Sequence, residues 1–155
     1  MQESFIVARR RILTMLAAAP LAALVSMRAQ SAAPAVSMFK LTDCGCCDLW
    51  AGHLRKNGFA VSVRAVPDLT PVRLKYGIPN IFGTCHTALV EGYAIEGHVP
   101  AADIHRLLRA KPKVAGLAVP GMPAGSPGME GPRSEPYDVL TFDRSGATQI
   151  YARYR

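Results

Sequence analysis

The chain has 155 residues, half of them hydrophobic, with 18 basic residues, 11 acidic residues and four cysteines. That length holds one ordinary domain with its own core, not two. Setting aside Arg9, Arg10, Arg11, Arg28 and Glu3 near the N-terminus lowers the charge excess from +7 to +4, and no basic stripe interleaves with aromatics, so nucleic acid is excluded as an expected partner.

Arg9-Arg10-Arg11 precedes an apolar run from Ile12 to Val25, and small residues follow around Ala29 to Ala35. This charged, apolar, small-residue order predicts an export signal over residues 1–31, with cleavage between 29 and 35. The apolar run is short for a bilayer span, so no stable membrane insertion is expected after its removal; an uncleaved anchor is the rival reading. Arg9-Arg10-Arg11-Ile12-Leu13 also resembles a twin-arginine signal.

A single domain is expected over residues 36–155. Val36 to Leu41 predicts a strand. Thr42 or Asp43 then offers a cap for a helix that begins within Cys44-Gly45-Cys46-Cys47 and runs to about Lys56, with Cys47, Trp50 and Leu54 on one side. Asn57-Gly58 ends it. Phe59 to Val66 alternates and reads as a second strand. Leu69 to Tyr76 predicts a short helix, opened by Thr70-Pro71 and closed by Gly77. Residues 78–84 read as a loop leading to Cys85. His86 to Val90 and Tyr93 to Gly97 form a hairpin about Glu91-Gly92, and Pro100 opens a helix from Ala101 to Ala110. Residues 112–136, rich in Gly and Pro and carrying Met122 and Met129, read as one long loop. Tyr137 to Phe142 and Thr148 to Tyr151 close the chain as a hairpin. The expected fold is α/β: a mixed sheet with flanking helices, a Gly/Pro/Met-rich loop and a C-terminal hairpin. Its element order is that of thioredoxin-like domains, an analogy that would bring Cys85 and His86 beside the other cysteines.

The chemistry is expected at sulfur. Cys44 and Cys47 have the Cys-x-x-Cys spacing of thiol–disulfide oxidoreductases and of many metal sites. A helix start there would favour thiolate. Cys46 adds a third sulfur that a redox pair does not need, and a bond between adjacent Cys46 and Cys47 is geometrically poor for a purely structural framework. Soft thiolate and thioether donors select Cu(I), with imidazole also suited to copper. The candidate metal ligands are therefore Cys44, Cys46, Cys47, Cys85, His86, His98, Met122 and Met129. His53 and His105 read as surface residues on helices, and Met38 as core. A closed zinc site from Cys44, Cys47, Cys85 and His86 would leave Cys46 and the methionines unexplained. No nucleophile-elbow sequence and no phosphate-binding glycine loop is present.

Asp43-Cys44-Gly45-Cys46-Cys47, Cys85-His86-Thr87-Ala88, Glu96-Gly97-His98-Val99-Pro100-Ala101, Gly116 to Pro123 and Gly125-Ser126-Pro127-Gly128-Met129 together resemble a bacterial metal-binding family of formerly unknown function that includes the periplasmic copper-resistance protein CopG. The likeness runs from about Val36 to Tyr151. It implies a thioredoxin-like periplasmic protein of copper resistance. Copper ions, in a multinuclear cluster, would be held by Cys44, Cys46, Cys47 and Cys85. It further implies interconversion of Cu(I) and Cu(II), with other periplasmic copper-handling proteins as partners. The alternative is a thiol–disulfide oxidoreductase using Cys44 and Cys47.

Overall fold

The computed structural model describes residues 32–155; the export signal expected over residues 1–31 lies outside the described residues. No described helix is long and apolar enough to cross a membrane.

Seven strands form one mixed sheet in the order β2-β1-β3-β4-β5-β6-β7. Strand β1 (Ala35–Leu41) runs through helix α1 (Gly45–Lys56) to β2 (Ala60–Val66), which pairs parallel to it. Helix α2 (Thr70–Tyr76) follows, ending where Gly77 takes φ +64°, a left-handed cap that glycine adopts without strain. Strand β3 (His86–Val90) lies antiparallel on the other side of β1, with His86 opposite Lys40. It turns through Glu91 and Gly92, both with positive φ, into β4 (Tyr93–Glu96). Two such residues give the turn the twist a two-residue hairpin requires. Helix α3 (Ala101–Ala110) leads to β5 (Gly116–Ala118), parallel to β4; β6 (Tyr137–Phe142) and β7 (Thr148–Tyr154) complete the sheet as an antiparallel pair.

The core divides by strand alternation. Val36, Met38, Ala88, Val90 and Ile95 join Trp50 and Leu54 of α1 and Ile104 and Leu107 of α3 in the larger cluster. Ala94, one residue from Ile95, joins Ile78, Phe82, Ala118 and Phe142 in a smaller one. Cys47, Trp50, Ala51 and Leu54 are the buried stripe of α1, at the spacing that stacks residues along one helix face.

Several expectations are corrected. Neither Thr42 nor Asp43 caps α1: Cys44 takes the cap position with no side-chain bond. Lys40 of β1 ties the helix start to the sheet, its Nζ donating to the Cys44 carbonyl at 3.0 Å and to Asp48 Oδ2 at 2.8 Å. Residues 112–136 contain a strand, β5, because pairing across the sheet selects it. A Cβ at Gly116 would fall 1.9 Å from the Ala94 carbonyl oxygen, so only glycine lets the two strands meet there. The segment before Cys85 holds a 3-10 turn at Asn80–Phe82, and β7 continues to Tyr154. His53 and His105 are half-buried rather than surface groups. His53 Nε2 accepts the Ala101 N–H at the start of α3, and His105 stacks on Phe59 while bonding the Asn57 carbonyl.

Candidate metal centre

Two neighbouring strands bring the cysteines together. β1 delivers Cys44 to the mouth of α1, whose first turn carries Cys46 and Cys47; β3 starts one residue after Cys85. Because β1 and β3 pair, the Leu41 N–H donates to the Cys85 carbonyl at 3.0 Å; a local turn, with the Cys44 N–H donating to the Leu41 carbonyl at 3.2 Å, then sets Cys44 beside it. The four sulfurs lie within 4.8 Å of one another.

Cys44 and Cys47 are joined as a disulfide, while Cys46 and Cys85 are free and half-buried. Cys85 Sγ is 3.0 Å from Cys44 Sγ and 3.3 Å from Cys47 Sγ; Cys44 and Cys46 sulfurs are 3.5 Å apart. An in-line thiolate attack would leave the departing sulfur about 2 Å farther from the nucleophile than the attacked one. Cys85 is nearly equidistant from both, so it sits beside the bond rather than in line with it. Burial first, and the adjacent Cys46 second, push the Cys85 thiol above its ordinary value. Cys44, Cys46 and Cys85 open onto a groove of about 650 Å³ bordered by Leu41, Asp43, Pro67 and Met122, whereas Cys47 is fully buried.

Met122 and Met129 occupy different positions. Met122 Sδ is 3.9 Å from Cys46 Sγ and 4.0 Å from Cys85 Sγ, with half its surface exposed. Met129 enters a wound turn through its backbone. Its N–H donates to Ser126 O and its carbonyl accepts from Gly125 N–H. Both carboxylate oxygens of Glu130 lie 2.9 Å from the Gly128 N, the single N–H being shared between them. Gly128 has φ +84°, and a Cβ there would lie 2.8 Å from Trp50 N and 3.0 Å from Cys46 O. The methionine loop is thus seated directly on the first turn of α1.

His86 and His98 are both fully buried. His86 Nε2 is 3.0 Å from Gly97 O, and His98 Nδ1 is 2.8 Å from Pro127 O. A carbonyl only accepts, so those nitrogens carry the protons. The His86 Nδ1 and His98 Nε2 lone pairs are left bare and without partners among the described residues. Tautomers set in this way, with the far N–H on a backbone carbonyl, are typical of metal-binding imidazoles. Burial pushes His86 down to about 3, with His98 a secondary cause. Burial also lowers His98. The His86 ring stacks on Trp50 at 4.5 Å, and Trp50 Nε1 donates to Val99 O.

Residues that the sequence reading passed over support this arrangement. Lys40 continues the buried Val36, Met38 face of β1, and a lysine at an apolar position was the available signal. Arg73, Thr84 and Glu96 form a network behind Cys85 that no local spacing announces.

Among known families, one described as "Protein of unknown function, DUF411" matches residues 82–129, a span holding Cys85, His86, His98, Met122 and Met129. Two solved structures are similar over most of this chain. The first, "Copper resistance protein copG- Form 1", is 45% identical, covers 77% of this chain and 96% of its own, and superposes with a TM-score of 0.72. The second, "Copper resistance protein copG- Form 2", is 44% identical over 79% of this chain and 98% of its own, with a TM-score of 0.73. No curated protein matches.

Proposed function

We propose a copper function on one premise: this chain belongs to the CopG-like family DUF411. The protein binds copper ions as its cargo through Cys44, Cys46, Cys47 and Cys85. The observation that carries this is the convergence of four cysteine sulfurs within 4.8 Å, with the Met122 thioether against two of them. Thiolate plus thioether is a Cu(I) donor set; a zinc site would use thiolate and imidazole and leave Met122 idle. Four sulfurs this close favour a sulfur-bridged cluster of several ions. His86 and His98, each with a bare buried nitrogen, supply imidazole donors suited to Cu(II), and Met129 belongs to the loop that closes over the site.

Copper binding to all four sulfurs requires the Cys44–Cys47 bond to open, which takes two electrons and yields two thiolates. Oxidation of two Cu(I) to two Cu(II) releases the same two electrons, so disulfide and copper form a balanced couple, and the protein interconverts the two oxidation states. The basic-then-apolar leader supports export to the periplasm, where other copper-handling proteins exchange metal with it. The strand order β2-β1-β3-β4, with α1 crossing from β1 to β2 and α3 following β4, supports a thioredoxin-like core extended by β5–β7.

The test is an anaerobic Cu(I) titration of the reduced protein, with metal per chain counted by elemental analysis. More than one tightly held copper per chain, with thiolate-to-copper charge-transfer absorption and a lower count in Cys46→Ser, is expected. Negligible binding against a modest Cu(I) competitor overturns the reading. The Cys44–Cys47 disulfide favours a second one, a thiol–disulfide oxidoreductase. It requires reduction of insulin by metal-free protein, abolished in Cys44→Ser.

A further inference from the structure

Arg73 lies on α2, away from the Cys44–Cys47 motif in sequence, yet its guanidinium ends behind Cys85. Its shortest bond is not to a carboxylate. Nη2 donates to the Thr84 carbonyl at 2.6 Å, while Glu96 Oε2 is 3.3 Å away and Oε1 is 3.5 Å from Nε. The Glu96 side chain is wholly buried. It also accepts from Thr87 Oγ1 at 2.6 Å and from the Thr84 N–H at 3.3 Å. The Thr84 hydroxyl donates to the His86 carbonyl at 2.8 Å and accepts the Gly97 N–H at 3.1 Å. The residues before and after Cys85 are therefore stapled to each other, and that staple is anchored on Arg73 and Glu96. The cradle is fitted closely. A Cβ at Gly83 would lie 2.9 Å from Arg73 Nη1, and one at Gly97 would lie 2.4 Å from Val119 O.

We propose that Arg73 and Glu96 are positioning residues for the metal centre: they fix the Thr84–His86 backbone so that Cys85 Sγ is held against Cys44 and Cys47. A planar fork reaching a carbonyl and a carboxylate together is the task that suits arginine and that a lysine ammonium performs poorly. Three of the four cysteines sit on one short turn. Cys85 is the sulfur whose place depends on tertiary structure; it contacts the Cys44 and Cys47 sulfurs and shares the Met122 thioether with Cys46. The inference rests on the copper reading for its first readout only.

The experiment is a double-mutant cycle between this pair and Cys85. Arg73→Gln alone would strand a buried carboxylate, so the neutral pair Arg73→Gln with Glu96→Gln is the principal variant, with Arg73→Lys beside it. Each is made in the native and the Cys85→Ser background, and folding is checked by thermal melting. Competitive Cu(I) titration is expected to show a loss of about tenfold or more in the native background, as for outer-shell partners of metal ligands. Arg73→Lys is expected to recover only part of it, and Cys85→Ser protein to be insensitive. Equal losses in both backgrounds would mean a general structural effect and overturn the proposal, as would no loss in either. If the native protein takes up no Cu(I), the copper reading fails by itself. The same cycle is then read by glutathione equilibration of the Cys44–Cys47 disulfide. A shifted midpoint that vanishes in Cys85→Ser supports positioning, and an unshifted or background-independent midpoint overturns it.

Discussion

Replacing Gly128 by alanine separates the methionine loop from the helix it sits on. Two terms act at that position. Gly128 has φ +84°, and an L-residue in the left-handed region costs about 1–2 kcal/mol. The new Cβ also meets backbone, not a flexible side chain, at 2.8 Å from Trp50 N and 3.0 Å from Cys46 O. Overpacking of that kind adds about 1–3 kcal/mol unless the loop lifts. Gly121 provides the control: its φ is +71°, but nothing lies within 4 Å of a Cβ there. Gly121→Ala should therefore lose only the backbone term, and Gly128→Ala about 2–5 kcal/mol in all. Urea unfolding of the metal-free protein measures both. If the loop relieves the clash by lifting, the stability loss shrinks toward the Gly121→Ala value. Met122 then leaves Cys46 and Cys85, and Cu(I) affinity falls while Gly121→Ala keeps it. Gly128→Ala matching Gly121→Ala in both stability and affinity would refute the claim that this loop is docked on the first turn of α1.

The metal-free protein should weaken in acid because His86 is held neutral. Its folded value of about 3 lies below the ordinary 6.5, so between them the unfolded chain binds a proton that the native protein does not. Stability is complete above pH 6.5 and drains as pH falls toward 3; from pH 7 to 5 this one group removes about 2 kcal/mol. A urea midpoint that stays flat over that range would contradict the buried neutral ring. Trp50→Phe removes the Nε1–H bond to Val99 O and should cost about 1–3 kcal/mol by leaving a buried acceptor unpaired. A loss below about 0.5 kcal/mol in thermal or urea unfolding would show that the carbonyl finds another partner. Met122→Leu should weaken Cu(I) more than Cu(II), because it removes the thioether nearest the cysteines, whereas Met129→Leu should change Cu(I) affinity little. Equal effects in competition titrations would contradict the difference in their placement.

The local elements were largely legible. The Cys47, Trp50, Leu54 stripe marked α1, the Glu91-Gly92 pair marked the hairpin, and Pro100 marked the start of α3; each is a short-range preference acting within a few residues. The misreadings fell where a distant partner decides. β5 is three residues of Gly-Leu-Ala with no periodicity of its own, a strand only because β4 and β6 lie on either side of it. The cap position of α1 falls on Cys44 without a side-chain bond, and the group that ties down the helix start is Lys40 of the preceding strand, which donates to the Cys44 carbonyl and to Asp48. His53 reads as a surface residue by helix periodicity and His105 by its charged neighbours Asp103 and Arg106, and neither signal carries the α3 terminus and Phe59 that they meet.

The candidate site divides in the same way. By itself the sequence determined the donor chemistry: three thiols in four residues, a fourth beside a histidine, and thioethers in a glycine- and proline-rich stretch. Residue type dictates which metals and redox partners a side chain favours wherever it ends up. Only the tertiary structure decided which donors meet. The pairing of β1 with β3 carries Cys85 across 41 positions to Cys44, and the seating of Gly128 on α1 accompanies the approach of Met122, but not the Met129 backbone turn, to the sulfurs. The physical reason is that a sulfur's softness belongs to the atom, whereas a sulfur–sulfur distance belongs to the sheet register and to the glycines and buried ions that hold the loops in place.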